Sequence, residues 1–104
     1  MTRRRFRVDP AFFADLDALL PTVRGDRGEP SAADFLAYDL PRALEQLAVN
    51  YEQVTHPGPW PGSRFLVQTG SLVPMFVLGT ILDADGVIVV YHLALDLEPP
   101  SHPT

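Results

Sequence analysis

The sequence has no cysteine and no lysine. Without cysteine there is no disulfide framework, no thiol nucleophile and no thiolate metal site, a composition that suits a reducing cytosol. Without lysine, all eight cations are arginine; the codon usage of a GC-rich genome accounts for this more simply than a need for bidentate chemistry does. No run approaches the roughly 18 consecutive apolar residues of a membrane span. The basic start at residues 1–7 leads into Asp9-Pro10 rather than an apolar core, which argues against a signal peptide. The expectation is a cytoplasmic protein without a membrane partner. Positive charge is scarce as well. Thirteen acidic residues against eight basic ones give a formal net charge of −5, and a domain this acidic is repelled by a nucleic-acid backbone unless its cations are gathered. Four of them are gathered, at Arg3, Arg4, Arg5 and Arg7.

What is present is enough for one domain. A chain of 104 residues that is 46% hydrophobic can bury a single core. Residues 64–69, 73–82 and 87–97 are rich in Val, Ile, Leu, Phe and Tyr and bounded by turn residues, which predicts three antiparallel strands in a meander. Gly86, at the end of Asp83-Ala84-Asp85-Gly86, suits the positive φ of a tight hairpin. In the first half, residues 4–8 predict a short strand. Asp9-Pro10 is a helix start, and Val8 and Phe13 have the spacing of a hydrophobic staple. Phe12, Phe13, Leu16, Leu19 and Leu20 form an apolar stripe from which Asp15 and Asp17 are excluded. Ser31 and Asp34 predict a capping box for a second helix. Pro41 predicts a kink or a split in it, with Asp39 capping the second piece. Leu44, Leu47, Ala48, Tyr51 and Val54 are that piece's apolar side. Residues 55–63, with three prolines, two glycines and Trp60, read as a stiff connector that is neither helix nor strand. The fold class expected is α+β: a short N-terminal strand, two helices with the second kinked near Pro41, then the three-stranded meander, helices on one face. Residues 1–97 form the domain and residues 98–104 a disordered Pro-rich tail.

Strict alternation along 87–97 places Val87, Val89, Tyr91, Leu93, Leu95 and Leu97 on one face and Ile88, Val90, His92, Ala94 and Asp96 on the other. Neither set is polar, although a sheet with one wet face should show a clean split. Two helices cover one face only. The second face therefore needs cover from the connector, the tail, a second copy of the chain or a partner, and a protein interface is the preferred explanation.

The order strand, helix, helix, three antiparallel strands resembles the RelE/ParE superfamily of toxins from type II toxin–antitoxin pairs. Arg5-Phe6-Arg7-Val8-Asp9-Pro10-Ala11-Phe12-Phe13-Ala14-Asp15-Leu16 is similar to its strand running into a helix with an aspartate–leucine pair. Ser63-Arg64-Phe65-Leu66-Val67-Gln68-Thr69-Gly70 resembles the segment where a basic residue opens a strand ending at glycine. Residues 87–92 resemble the final strand leading to a histidine. The resemblance implies an mRNA endoribonuclease acting on the ribosome, a gyrase poison in the ParE branch, or an inactive remnant, neutralised by an antitoxin. By position, Arg64 would stabilise phosphate charge and His92 would be the general acid or base. Arg3, Arg5 and Arg7 would share one strand face and contact RNA. The chain departs from the family's nucleases in being acidic and in having no Tyr or Arg after His92.

Plainer readings stand beside these. Arg64 equally fits a surface charge paired to Glu52 or Asp96, and His92 a hydrogen-bonded sheet residue. His56, His92 and His102 are scattered, so neither a metal nor a cofactor is expected. The alternatives to a toxin are a non-enzymatic interaction module, most simply a homodimer through the second sheet face, and a small-molecule binder with a pocket between Trp60, Tyr91 and the sheet.

Overall fold

The three apolar runs of the second half fold as β3 (Ser63–Gln68), β4 (Met75–Leu82) and β5 (Ile88–Asp96), an antiparallel meander. Gly86 takes φ +79° in the turn between the last two. The computed structural model describes residues 3–26 and 29–96. The expected tail at 98–104 lies outside the described residues. Two short strands widen the meander into a five-stranded mixed sheet, ordered β1-β5-β4-β3-β2. β1 (Phe6–Val8) runs parallel to β5, with Phe6 opposite Ile88 and Val8 opposite Val90. β2 (Thr55–Pro57) pairs antiparallel with β3. The first three residues of the connector are therefore a strand, contrary to the expectation from its prolines. Proline disqualifies a central strand, but an edge strand has a free side on which no ladder N–H is missed.

The helices start where their caps predict. Asp9 accepts from the Ala11 N–H at 2.9 Å and Pro10 opens α1 (Pro10–Leu19). Phe12, Leu16 and Leu20 of its stripe are buried, whereas Phe13 and Leu19 remain exposed. Ser31 and Asp34 form the full capping box of α2 (Ala32–Asp34). Arg24 also closes a two-pronged fork on Asp34, at 2.8 and 3.0 Å. That fork and the Ser31 N–H hold the Asp34 carboxyl far below the usual carboxylate range.

The second helix is irregular just before Pro41, as expected there, but the chain stays helical. The chain continues from α2 through a π-helical turn (Phe35–Asp39) into α3 (Leu40–Val54), the Leu40 N–H reaching back five residues to the Phe35 carbonyl. A proline lacks the N–H and crowds the carbonyl four residues earlier; a widened turn accommodates both. The irregular residue inside α3 is Asn50, at φ −131° and ψ 40°. Ala43, Leu47, Ala48 and Tyr51 are buried, and Ala43, Leu47 and Tyr51 join Phe12, Leu16, Phe35, Leu66, Phe76, Leu78, Ile88, Val90 and Leu93 in one core between the helices and one sheet face. The Tyr51 hydroxyl meets that of Thr80 at 2.9 Å, tying α3 to β4 inside the core. Among the described residues, no helix is long and apolar enough to cross a membrane.

Asp39 does not cap α3. Its carboxylate, 1% exposed, instead accepts from the Ser71 N–H (2.7 Å) and hydroxyl (2.6 Å) and from the Leu72 and Val73 N–H groups (both 3.1 Å). It thereby gathers the loop between β3 and β4, whose N–H groups have no ladder partners. Burial pushes its pKa up, but the hydrogen bonds from Ser71, Val73 and Leu72 outweigh burial and leave it below the ordinary value. A carboxyl depressed on folding stabilises the native state above its unfolded pKa and loses that contribution as pH falls through the folded value. Asp39→Asn is expected to lower stability by about 2 kcal/mol at neutral pH, measured by urea unfolding, with the deficit shrinking as the pH is taken below the ordinary carboxylate range of roughly 4.

Candidate functional site

The site begins with an irregularity in β5. Gly79 lies opposite His92 but Thr80 lies opposite Val90, so Tyr91 is an extra residue, a β-bulge. A bulge inserts one residue and reverses the alternation beyond it. Ile88 and Val90 before it and Leu93 after it therefore all face the helices and are buried. Strict alternation puts Leu93 and Leu95 on the face opposite Ile88 and Val90, and the bulge overturns that assignment. It also brings Tyr91 and His92 together on the outer face, their rings 6.5 Å apart.

Beneath them is Gly79. A Cβ there would stand 2.9 Å from the His92 Cβ and 3.5 Å from the Tyr91 ring, so only glycine allows that close approach. The opposite wall comes from the β2–β3 hairpin. Ser63, buried at the start of β3, donates its hydroxyl to the Trp60 carbonyl at 2.7 Å, and its carbonyl accepts from the Gly58 N–H at 2.8 Å. The loop so tied holds Trp60 at the outer face, 54% exposed. Trp60, Phe65, Val77, Gly79, Tyr91 and His92 line a hollow of about 320 Å³. The pocket expected between Trp60 and Tyr91 is thus formed, and the connector covers one corner of the second face. A second hollow, of about 290 Å³, opens between α3 and β3 and is lined mainly by polar side chains such as Arg42, Gln46 and Gln68.

His92 is fixed from behind by α1. β1 pairs with β5 only as far as Val90, leaving the next stretch of that edge without a strand. Asp15 takes its place: one carboxylate oxygen accepts from the Leu93 N–H at 3.1 Å and meets His92 Nδ1 at 3.0 Å. A carboxylate accepts only, so Nδ1 carries a proton, and in the neutral ring Nε2 is then the acceptor. His92 remains 53% exposed.

Arg64 is elsewhere. It is among the residues around the hollow, but in the sheet it shares the helix-facing side with Thr80. Its guanidinium donates to Thr55 Oγ1 (2.6 Å), the Thr55 carbonyl (2.9 Å) and the Glu52 carbonyl (3.4 Å) and lies 6.0 Å from the Tyr51 ring centre. It is bound to the C-terminal carbonyls of α3, where a cation also complements the helix dipole. The structure thus does not bring Arg64 and His92 together. The Glu52 carboxylate is taken by Arg4.

The N-terminal arginines separate as well. Arg3 reaches across to Glu45 on α3, while Arg7 lies 3.9 Å from Asp9. Arg7 and Arg5 both contribute to holding the Asp83 carboxyl below its ordinary value, after the larger effect of its bond from the Val87 N–H. Arg5 and Arg7 thus both act on Asp83, whereas Arg3 is paired to α3. Among the described residues no cluster of His, Asp and Glu could hold a metal ion. Sequence reasoning missed Asp15, 77 residues from His92; its only signal was a carboxylate off the apolar stripe of α1.

No protein-family model, no curated protein and no solved structure matches this chain.

Gly79→Val is expected to displace Tyr91 and His92 and to cost about 1–3 kcal/mol through overpacking. Thermal unfolding, together with loss of the paired Tyr91 and His92 ring resonances from their native positions, measures it.

Proposed function

We propose that the protein is a toxin-type member of the RelE/ParE kind that works by binding rather than by cutting RNA, and that its antitoxin docks on the outer face of the sheet. The observation that carries this reading is that face itself. Phe65, Val67, Val77, Ile81 and Tyr91 alternate outward on adjacent strands, and Val67 and Trp60 are exposed. The helices lie on the other side. A contiguous apolar surface of this sort marks an interaction site. The order of strand, two helical segments and meander supports the family reading.

Cleavage by a 2′-hydroxyl needs a proton acceptor, a proton donor and a cation at one phosphate. Arg64 is committed to the end of α3, on the far side of the sheet from His92. A net charge of −5 opposes approach of an RNA strand. Both facts favour the remnant over the active nuclease.

Expression alone in a bacterial host is expected to leave growth unaffected. Co-expression with the product of a neighbouring small reading frame should yield a 1:1 complex by light scattering, and Val77→Arg, on the outer face, should abolish it while leaving the circular dichroism unchanged. Growth arrest relieved by His92→Ala would restore the nuclease reading. A stable homodimer of the chain alone, split by Val77→Arg, would replace the antitoxin with a second copy.

A further inference from the structure

We infer that the hollow beside Trp60 is an anchor pocket for one aromatic side chain carrying its own donor, tyrosine or tryptophan, on a basic segment of a protein partner. The inference rests on the reading of the outer face as a docking surface and adds what the face selects.

Size, lining and charge each narrow the occupant. At about 320 Å³ the hollow stands at the small end of the ~300–1,000 Å³ of ligand pockets, with room for a single ring system. Its aromatic walls, Trp60, Phe65 and Tyr91, and its floor at Val77 and Gly79 suit an aromatic body. The polar group that specifies is His92. Because Nδ1 bonds to Asp15, Nε2 of the neutral ring presents an acceptor with no partner among the described residues. A phenol or an indole satisfies that acceptor; a phenylalanine ring buries it unpaired. Interfaces concentrate their binding energy in just such Tyr and Trp anchors.

The charge of the segment follows from the acidic excess of the chain as a whole. Arg3, Arg4, Arg7 and Arg24 each face a carboxylate of the chain itself, and Arg64 serves the end of α3. The acidic excess behind the net charge of −5 is left to attract a basic partner and to speed its approach. The same excess disfavours single-stranded RNA, whose bases would otherwise suit an aromatic hollow.

The test uses the full chain with three blocked tripeptides, Arg-Tyr-Arg, Arg-Phe-Arg and Glu-Tyr-Glu, and with an oligouridylate, followed by amide resonances and by the emission of the single tryptophan. The Arg-Tyr-Arg peptide should move the resonances of Val77, Gly79, Tyr91 and His92. Arg-Phe-Arg should bind about 3- to 10-fold more weakly, the loss of one hydrogen bond. Glu-Tyr-Glu should give no saturable shift. Asp15→Ala, which removes the acceptor, should abolish the preference for tyrosine over phenylalanine and move the His92 ring ¹⁵N shifts away from the Nδ1–H tautomer. Equal affinity for the tyrosine and phenylalanine peptides, shifts confined to another surface, absence of binding, or tighter binding of an oligouridylate would each overturn the inference. Antitoxin capture that survives such a result leaves the docking reading intact without the anchor. Peptide binding with no protein partner leaves the pocket and removes the docking reading.

Discussion

One extra residue in β5 governs the molecule. That strand must show the helices Ile88, Val90 and Leu93, and an unbroken pleat cannot turn both even- and odd-numbered positions inward. The bulge at Tyr91 resolves the conflict by shifting the register of every later residue in the strand. The arrangement of the outer face is a by-product of core packing. Tyr91 and His92 come to stand side by side, and the strand opposite them must carry glycine. The hollow exists because the core needed the bulge.

The side chains best suited to chemistry are mostly employed in holding pieces together. Asp39 gathers a loop that has no ladder to join, and Asp15 replaces a strand that ends too soon. Arg64 fastens the end of α3 to the edge hairpin, and Ser63 ties the loop that presents Trp60. Among the described residues no buried side-chain nitrogen or oxygen lacks a hydrogen-bond partner, as a core of this size requires if it is not to be destabilised by its own polar groups. Function is left to the surface these ties expose.

The fold is legible in the sequence where local rules decide it. Asp9-Pro10, the Ser31–Asp34 box, Gly86 and the three apolar runs each state a local preference that agrees with the tertiary arrangement. The prolines of the connector obscure β2, because a breaker in a central strand is permissible at an edge. Pro41 announces an irregularity, which takes the form of the π-helical turn just before it. The failed alternation in β5 is itself the signal of the bulge: two apolar sets on one strand mean a second partner or a shifted register, and periodicity alone does not separate these. The site is half legible. Composition and position point to Trp60 and Tyr91 as pocket walls and to His92 as a candidate. Asp15 and the diversion of Arg64 depend on contacts between distant parts of the chain, for which a single sequence holds no record.

The parallel pairing of β1 with β5 has a consequence for how the protein comes to be folded. Phe6–Val8 finds its neighbours only at residues 88–90, so this edge must wait while some eighty intervening positions are synthesised. Contacts so far apart in sequence close slowly, since loop entropy is lost before they form. A ribosome-bound chain would hold its helices and hairpins early yet leave one border of the sheet raw until the last strand emerges. During that interval the border can be occupied by whatever other strand is near.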